Sequence, residues 1–247
     1  MPSETKKRVL VAGAAGAIGR VLCRLLVTDG HFVAGTTRSA VNAELLQALG
    51  VEPVLVDVFD AAALRQRMQD TRPDVVIHQL TDLPRVRTPE AMSAAFVRNA
   101  RLREVGTRNL VEAAITSGVT RMIAQSVAFA YAPGPKPYDE SCALNVDSAD
   151  TNVATTARGI ASLEQQLLNA AFDGVVLRYG RFYGPGTWFT APPPLGTAVH
   201  VESAADAARR AVSHGQPGTY NVAEEDGTVS CAKARRELRW EPGFRIV

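Results

Sequence analysis

The sequence predicts an α/β protein built on a doubly wound parallel sheet, on three observations. Short β-branched runs alternate with longer helical patterns up to about Arg178, the helical stretches carry their apolar residues on one face, and the first strand runs straight into a glycine-rich turn. A chain of 247 residues, 46% apolar and 21% charged, is long enough to bury one substantial core or a core plus a small appended lobe.

Taken in order, the expected strands are RVLVAG from Arg8, HFVAGTT from His31, EPVLVD from Glu52, DVVIHQ from Asp74, RMIAQS from Arg121 and GVVLRY from Gly174. After the first of these, Ile18, Val21, Leu22, Leu25 and Leu26 recur at i, i+3, i+4, i+7 and i+8, which places them on one face of a helix. Leu102, Val105, Leu110 and Ala113 repeat much of that pattern. Beyond Arg178 the texture changes to YGPGTWFTAPPPLG, then a small helix around SAADAARRAV, then a short tail. The expected division is residues 1–178 for the core and 179–247 for a shortened lobe packed on it, too small to fold independently.

Charge and cysteine content exclude several classes. A formal charge of +2 with no long run of one sign offers neither a nucleic-acid groove nor a membrane surface, and RRELR at Arg235 to Arg239 reads as a solvated helix face. Cys23, Cys142 and Cys231 are odd in number and far apart, so neither a disulfide framework nor a C-x-x-C metal or redox motif is available, and no metal is expected. The opening MPSETKKRVLVAG passes into a strand without an apolar leader segment, and a cytoplasmic location is the expectation.

Gly13, Gly16 and Gly19 stand at G-x-x-G-x-x-G spacing between the first strand and the first amphipathic helix. That order brings backbone N–H groups and the positive end of a helix dipole against a diphosphate. The end of the second strand reads Thr37, Arg38, Ser39 with no carboxylate to take a ribose 2′-hydroxyl; a guanidinium with hydroxyls suits a 2′-phosphate, so NADP is expected over NAD. Asp57 and Val58, at the third strand end, are placed to read an adenine edge, and Leu80 and Thr81, at the fourth, to lie beside ribose and diphosphate.

The segments VAGAAGAIGR, DVVIHQLT, NARLREVGTRNLVEAA, RMIAQSVAFAY, LRYGRFYGPGT, AVHVESAADAARRAV and GTYNVAEE together resemble the extended short-chain dehydrogenase/reductase superfamily, in particular its NAD-dependent epimerase/dehydratase family. The resemblance spans nearly the whole chain and implies a Rossmann-type fold. It implies that Gly13, Gly16, Ala17 and Ile18 hold the diphosphate, with Ala15 also among the cofactor-binding residues, and that Asp57 and Val58 meet the adenine. It further implies Leu80, Thr81 and Asn99 near the ribose or the active-site floor, Ser126 near the nicotinamide, and Tyr179, Gly180 and Arg181 bordering nicotinamide and substrate.

One part of that family's pattern is missing. Its chemistry rests on a Tyr-x-x-x-Lys pair in which lysine lowers the tyrosine pKa and the phenol moves a proton to or from a substrate oxygen. Glu164 looks like the glutamate that follows four residues after that lysine, which puts Ile160 at the lysine position and Thr156 at the tyrosine position. Four residues after Tyr131, Tyr138, Tyr179, Tyr183 and Tyr220 come Pro135, Cys142, Tyr183, Thr187 and Glu224, so no register restores the pair. Thr156, Ile160, Leu163 and Leu167 instead form a largely apolar stripe. Ser126 stands at or one residue before the family's catalytic Ser/Thr, the other reading being Val127, and the joined GTYNVAEE and AKARRELRWEP segments shorten the substrate cap.

The expected function is an NAD(P)-binding, epimerase/dehydratase-like oxidoreductase acting on a carbonyl or hydroxyl of a small molecule, a sugar or secondary metabolite, with a non-standard proton donor. Ser126, Tyr131 and Arg181 are the candidate catalytic residues, with Tyr138 and Tyr183 as further donors. The alternatives are an NADP-binding sensor or pseudo-enzyme without turnover, and a non-redox enzyme on the same fold. A homodimer is compatible with either.

Overall fold

A computed structural model describes residues 5–84 and 86–246. The strands are β1 (Arg8–Ala12), β2 (Phe32–Thr37), β3 (Glu52–Leu55), β4 (Val75–His78), β5 (Arg121–Val127), β6 (Asp173–Tyr179), β7 (Arg181–Tyr183), β8 (Ala198–His200) and β9 (Gly218–Val222). The helices are α1 (Ala17–Thr28), α2 (Ala40–Ala48), α3 (Ala61–Thr71), α4 (Pro89–Arg101), α5 (Thr107–Thr116), α6 (Thr151–Leu168), α7 (Val201–Ala211) and α8 (Ala232–Glu237). A π-helical segment, Leu102–Gly106, joins α4 to α5.

Seven parallel strands form the main sheet in the order β3-β2-β1-β4-β5-β6-β9. The order reverses between β1 and β4, and such a switch point opens a crevice at the carboxyl ends of the strands. Strand alternation then builds two cores. On one face Val9, Val11, Ile77, Ile123 and Leu177 meet α1 and α7; on the other Leu10, Ala12, Val76, Met122 and Val176 meet α3, α5 and α6.

Each of the strand runs read from the sequence is present, and the stretch beyond Arg178 does more than cap them. Its β9 is the seventh strand, with Val175 opposite Gly218 and Tyr179 opposite Val222, and its α7 lies against α1. Short GTYNV carries too little alternation to announce a strand; pairing with β6 makes it one. The RRELR face is solvated as expected, Arg235 pairing with Glu225 and Glu241. The cysteines are unpaired, and burial pushes the Cys23 and Cys231 thiols up to about 12, so both pack as inert apolar groups.

Candidate functional site: a dinucleotide cavity beside a locked polar belt

β1 ends in a loop that depends on its glycines. Gly13 has φ +90° and a Cβ there would lie 2.8 Å from the Gln79 carbonyl group, while one on Gly19 would lie 2.2 Å from Gly13 O. The start of α1 is thereby drawn against the strand ends. First-turn N–H groups, those of Ala17 and Ile18 among them, have no acceptor within the helix and point to whatever fills the crevice.

A cavity of about 480 Å3 runs along the carboxyl ends of β1 to β4, with Ala17 and Ile18 behind its glycine wall and not in its lining. Gly13, Ala15 and Gly16 line one wall. Thr37, Arg38 and Ser39 follow at the end of β2, Asp57 and Val58 at the end of β3, and Leu80 and Thr81 beyond β4. Arg38 is 70% exposed and only loosely held, 3.8 Å from Asp57 Oδ2. Thr37 Oγ1 accepts from the Ser39 amide, and Ser39 Oγ caps α2 at Asn42.

Residues that sequence reasoning did not single out complete this wall: Asn42, Phe59, Gln79, Arg98 and Arg101. Arg101 lies 4.5 Å above the Phe59 ring, and Arg98 pairs with Asp82 at 3.0 Å. Their i, i+3 spacing on α4 was the available signal. Gln79 is only 6% exposed and both of its amide atoms lack a hydrogen-bond partner. A cradle shaped by glycine, free helix N–H groups, three arginines and an unsatisfied amide fits an anionic dinucleotide. Among the described residues no cluster of His, Cys, Asp or Glu suits a metal ion.

Asn99 does not face that cavity. Its side chain accepts from the Asp82 amide and donates to the Asp82 and Ala95 carbonyls, fixing the loop after β4. His78 holds the same loop from below. Its Nδ1 accepts from the Leu80 amide, so Nε2 carries the hydrogen toward Thr107 Oγ1 at 3.1 Å, and burial, helped by Arg103, pushes its pKa down to about 4.

Ser126, Arg178 and Asn221 stand side by side in register on β5, β6 and β9. Glu164 reaches them from α6, accepting from Ser126 Oγ at 2.6 Å and from Arg178 at 2.9 and 2.6 Å. Tyr131 donates to Asn221 Oδ1 at 2.6 Å and accepts from Arg178 at 3.0 Å. Burial draws the Arg178 pKa down, but the hydrogen bonds and charge of Glu164 outweigh it and hold the guanidinium above its ordinary range. Burial likewise raises the Tyr131 phenol, with Arg178 opposing. Both expected catalytic hydroxyls are thus spent inside a buried network. Ile160, at the lysine position, packs with Val127, Ala130 and Leu144.

Tyr179 and Gly180, expected to border the nicotinamide, sit in the core: the Tyr179 phenol donates to Ala204 O and burial raises its pKa, while a Cβ on Gly180 would lie 2.5 Å from Thr197 O. Tyr138 stacks on Tyr131 at 5.2 Å and bonds to Gly134. Tyr183 donates to Glu224 at 2.5 Å, with Arg245 on the same hydroxyl. Arg181 is half-buried and lies 4.1 Å over the Phe129 ring. The TWFTAPPPLG loop crosses to the loop after β4, where Trp188 donates to Pro84 O at 3.1 Å and Arg87 lies over Trp188 and Phe189.

The profile of the NAD dependent epimerase/dehydratase family matches residues 9–196. The chain is 40% identical over 240 residues to a 3-diazoavenalumate denitrifying reductase of a Streptomyces species, covering 89% of this chain and 76% of that one. It is 28% identical to the 2-alkyl-3-oxoalkanoate reductase of Stenotrophomonas maltophilia over 72% of this chain, spanning about half, 52%, of that protein. The crystal structure of Thermus thermophilus UDP-glucose 4-epimerase in complex with NAD shares the fold, with a TM-score of 0.77 at 20% identity over 97% of this chain and 95% of that one. With the matched profile covering the glycine loop, six of the seven strands of the main sheet and the strand ends that wall the cavity, the chain belongs to the NAD-dependent epimerase/dehydratase family.

Proposed function

We propose that this protein is an NADP-dependent reductase whose acceptor needs no protein-borne proton donor, an aromatic diazo compound being the substrate class. The observation that carries the reading is the closed polar belt. Thr156 and Ile160 replace the tyrosine and lysine, Ile160 is sealed among apolar side chains, and the hydroxyls of Ser126 and Tyr131 are bound to Glu164 and Asn221.

The bound dinucleotide would supply hydride. Reduction of a ketone leaves an alkoxide that has to be protonated, which is the dyad's task elsewhere. Hydride displacement at a diazonium carbon forms one C–H bond, breaks one C–N bond and releases dinitrogen with the bonding electron pair, so no oxygen anion arises. The task left to the chain is to bind, orient and exclude water. Gly13, Gly16 and the start of α1 would hold the diphosphate and Arg38 the 2′-phosphate, with Asp57 and Val58 at the adenine. The diazo substrate named for the 40% identical reductase supports the same class.

The test is NADPH oxidation with a diazotised aminohydroxybenzoate, followed by absorbance and by dinitrogen release, beside a panel of ketones and nucleotide-sugars. Turnover confined to the diazo acceptor is expected. Oxidation driven by ketones or nucleotide-sugars alone would overturn the reading. For the cofactor, Arg38→Ala is expected to lower NADPH affinity about tenfold while leaving NADH affinity little changed, as removal of one charge-assisted contact implies; an unchanged NADP/NAD preference would remove Arg38 from that role.

A further inference from the structure

Several arginines that lie partly or wholly inside this protein have a carboxylate: Arg178 is held by Glu164, Arg121 by Asp173, and Arg209 and Arg210 by Asp206, whereas Arg103 has no ion pair among the described residues. Arg181 likewise has no carboxylate within ion-pair distance among the described residues, and its one side-chain hydrogen bond runs from Nη1 to Gly196 O at 3.3 Å. A guanidinium carries five N–H donors, so most of this one's capacity is uncommitted.

Its position follows from strand register. Val127 at the end of β5 is opposite Tyr179 at the end of β6, so Phe129 and Arg181 each lie two residues past that last pair, at the carboxyl edge of adjacent strands. The dinucleotide cavity occupies the same edge of the sheet at β1 to β4, and β5 and β6 follow β4 in the strand order, so Phe129 and Arg181 stand farther along that edge, outside the lining of the cavity itself. The Arg181 guanidinium lies 4.1 Å over a phenyl ring that keeps 39% of its residue surface exposed. Burial lowers the Arg181 pKa without removing its charge, which leaves a half-desolvated cation short of an anion.

We propose that Arg181 and Phe129 form the substrate subsite for a conjugated aromatic carboxylate, the carboxylate meeting the open N–H edge of the guanidinium and the flat ring system lying against the exposed phenyl. One guanidinium beside one phenyl matches a singly charged group on a planar apolar body. A nucleoside diphosphate carries more charge than this one cation answers. The proposal rests on the reductase reading for the identity of the reacting partner, and Arg181 here anchors substrate rather than stabilising a developing oxyanion.

The experiment is calorimetric titration of the NADPH-saturated protein with cinnamate, with neutral cinnamamide and with UDP, in the natural sequence and in Arg181→Met, Arg181→Lys and Phe129→Ala. NADPH titration of each variant reports whether it has folded. Cinnamate is expected to bind about tenfold or more tighter than cinnamamide, the value of a charge-assisted pair. Arg181→Met is expected to erase that preference, Arg181→Lys to restore part of it, and Phe129→Ala to weaken acid and amide alike. Absence of cinnamate binding, equal affinity for acid and amide, indifference to Arg181→Met, or tighter binding of UDP would each overturn the subsite. The diazo assay separates the two claims. Arg181-dependent cinnamate binding without diazo turnover sinks the reductase reading and keeps the subsite, whereas turnover with KM unchanged in Arg181→Met does the reverse.

Discussion

Glu164 and Arg178 show how much a single buried pair holds together. Both are nearly fully buried, and the pair anchors Ser126 and Tyr131 as well. Glu164→Ala would leave an uncompensated guanidinium in the core, and a loss of about 3–5 kcal/mol is expected by chemical denaturation. Ser126→Ala removes one hydrogen bond from a carboxylate that Arg178 still satisfies, so a cost of about 1 kcal/mol is expected. Equal costs for the two would show that the belt is not organised around Glu164. His78 sets a pH dependence. Burial disfavours its protonated form and lowers its pKa from 6.5 to about 4, so the unfolded chain binds the proton more readily in between. Stability is therefore whole above pH 6.5 and is lost as pH falls toward 4, by about 3 kcal/mol at the limit. Urea midpoints measured at pH 7 and pH 4.5 check this, and His78→Gln is expected to flatten the acid limb.

At the scale of elements, the glycine turn and α1 separate folding from binding. A Cβ on Gly13 meets backbone and demands a residue at positive φ, whereas one on Gly16, at φ −72°, finds Gly13 O at 3.3 Å. Gly13→Ala is expected to cost about 1–3 kcal/mol in stability. Gly16→Ala is expected to spare the fold and lower dinucleotide affinity, because its methyl occupies the side of the turn where the diphosphate would approach. Thermal melts with and without NADPH distinguish them; equal loss of stability in both would refute the division. This turn was legible in the sequence because its signal is local: strand, glycines at fixed spacing, helix. The stripe through Ile160, Leu163 and Leu167 was legible for the same reason, and all three are buried. The roles of Ser126 and Tyr131 were not, because Glu164 lies 38 residues from Ser126 and Asn221 lies 90 from Tyr131, and no spacing rule links them. The resemblance carried Tyr179 to Arg181 as one block, but the chain changes strand within it: Tyr179 closes β6 with its phenol on Ala204 O, whereas Arg181 opens β7 and lies over the Phe129 ring.

Across the whole molecule, the segment after Arg178 is part of the main sandwich. It supplies β9 to the edge of β6, α7 to the face of α1, and Trp240, fully buried with Nε1 donating to Ser203 O at 2.9 Å. Residues 1–178 alone would expose that apolar face and leave β6 as an open edge, so the fragment is expected to aggregate or remain unfolded. Trp240→Ala in the full chain is expected to cost about 3–5 kcal/mol. A fragment that folds cooperatively and binds NADPH would show that the Rossmann half is autonomous.

By itself the sequence determined the α/β class, the glycine turn between β1 and α1, the Arg38 position at the end of β2 and the absence of a Tyr-x-x-x-Lys pair, since each is a matter of residue type at short, regular spacing. Only the tertiary structure decided what the remaining polar side chains do. Burial makes an unpaired charge or hydroxyl costly, so Ser126, Tyr131 and Arg178 take their roles from partners that folding brings to them, and Arg181 takes its own from an exposed phenyl ring at the sheet edge rather than from a carboxylate.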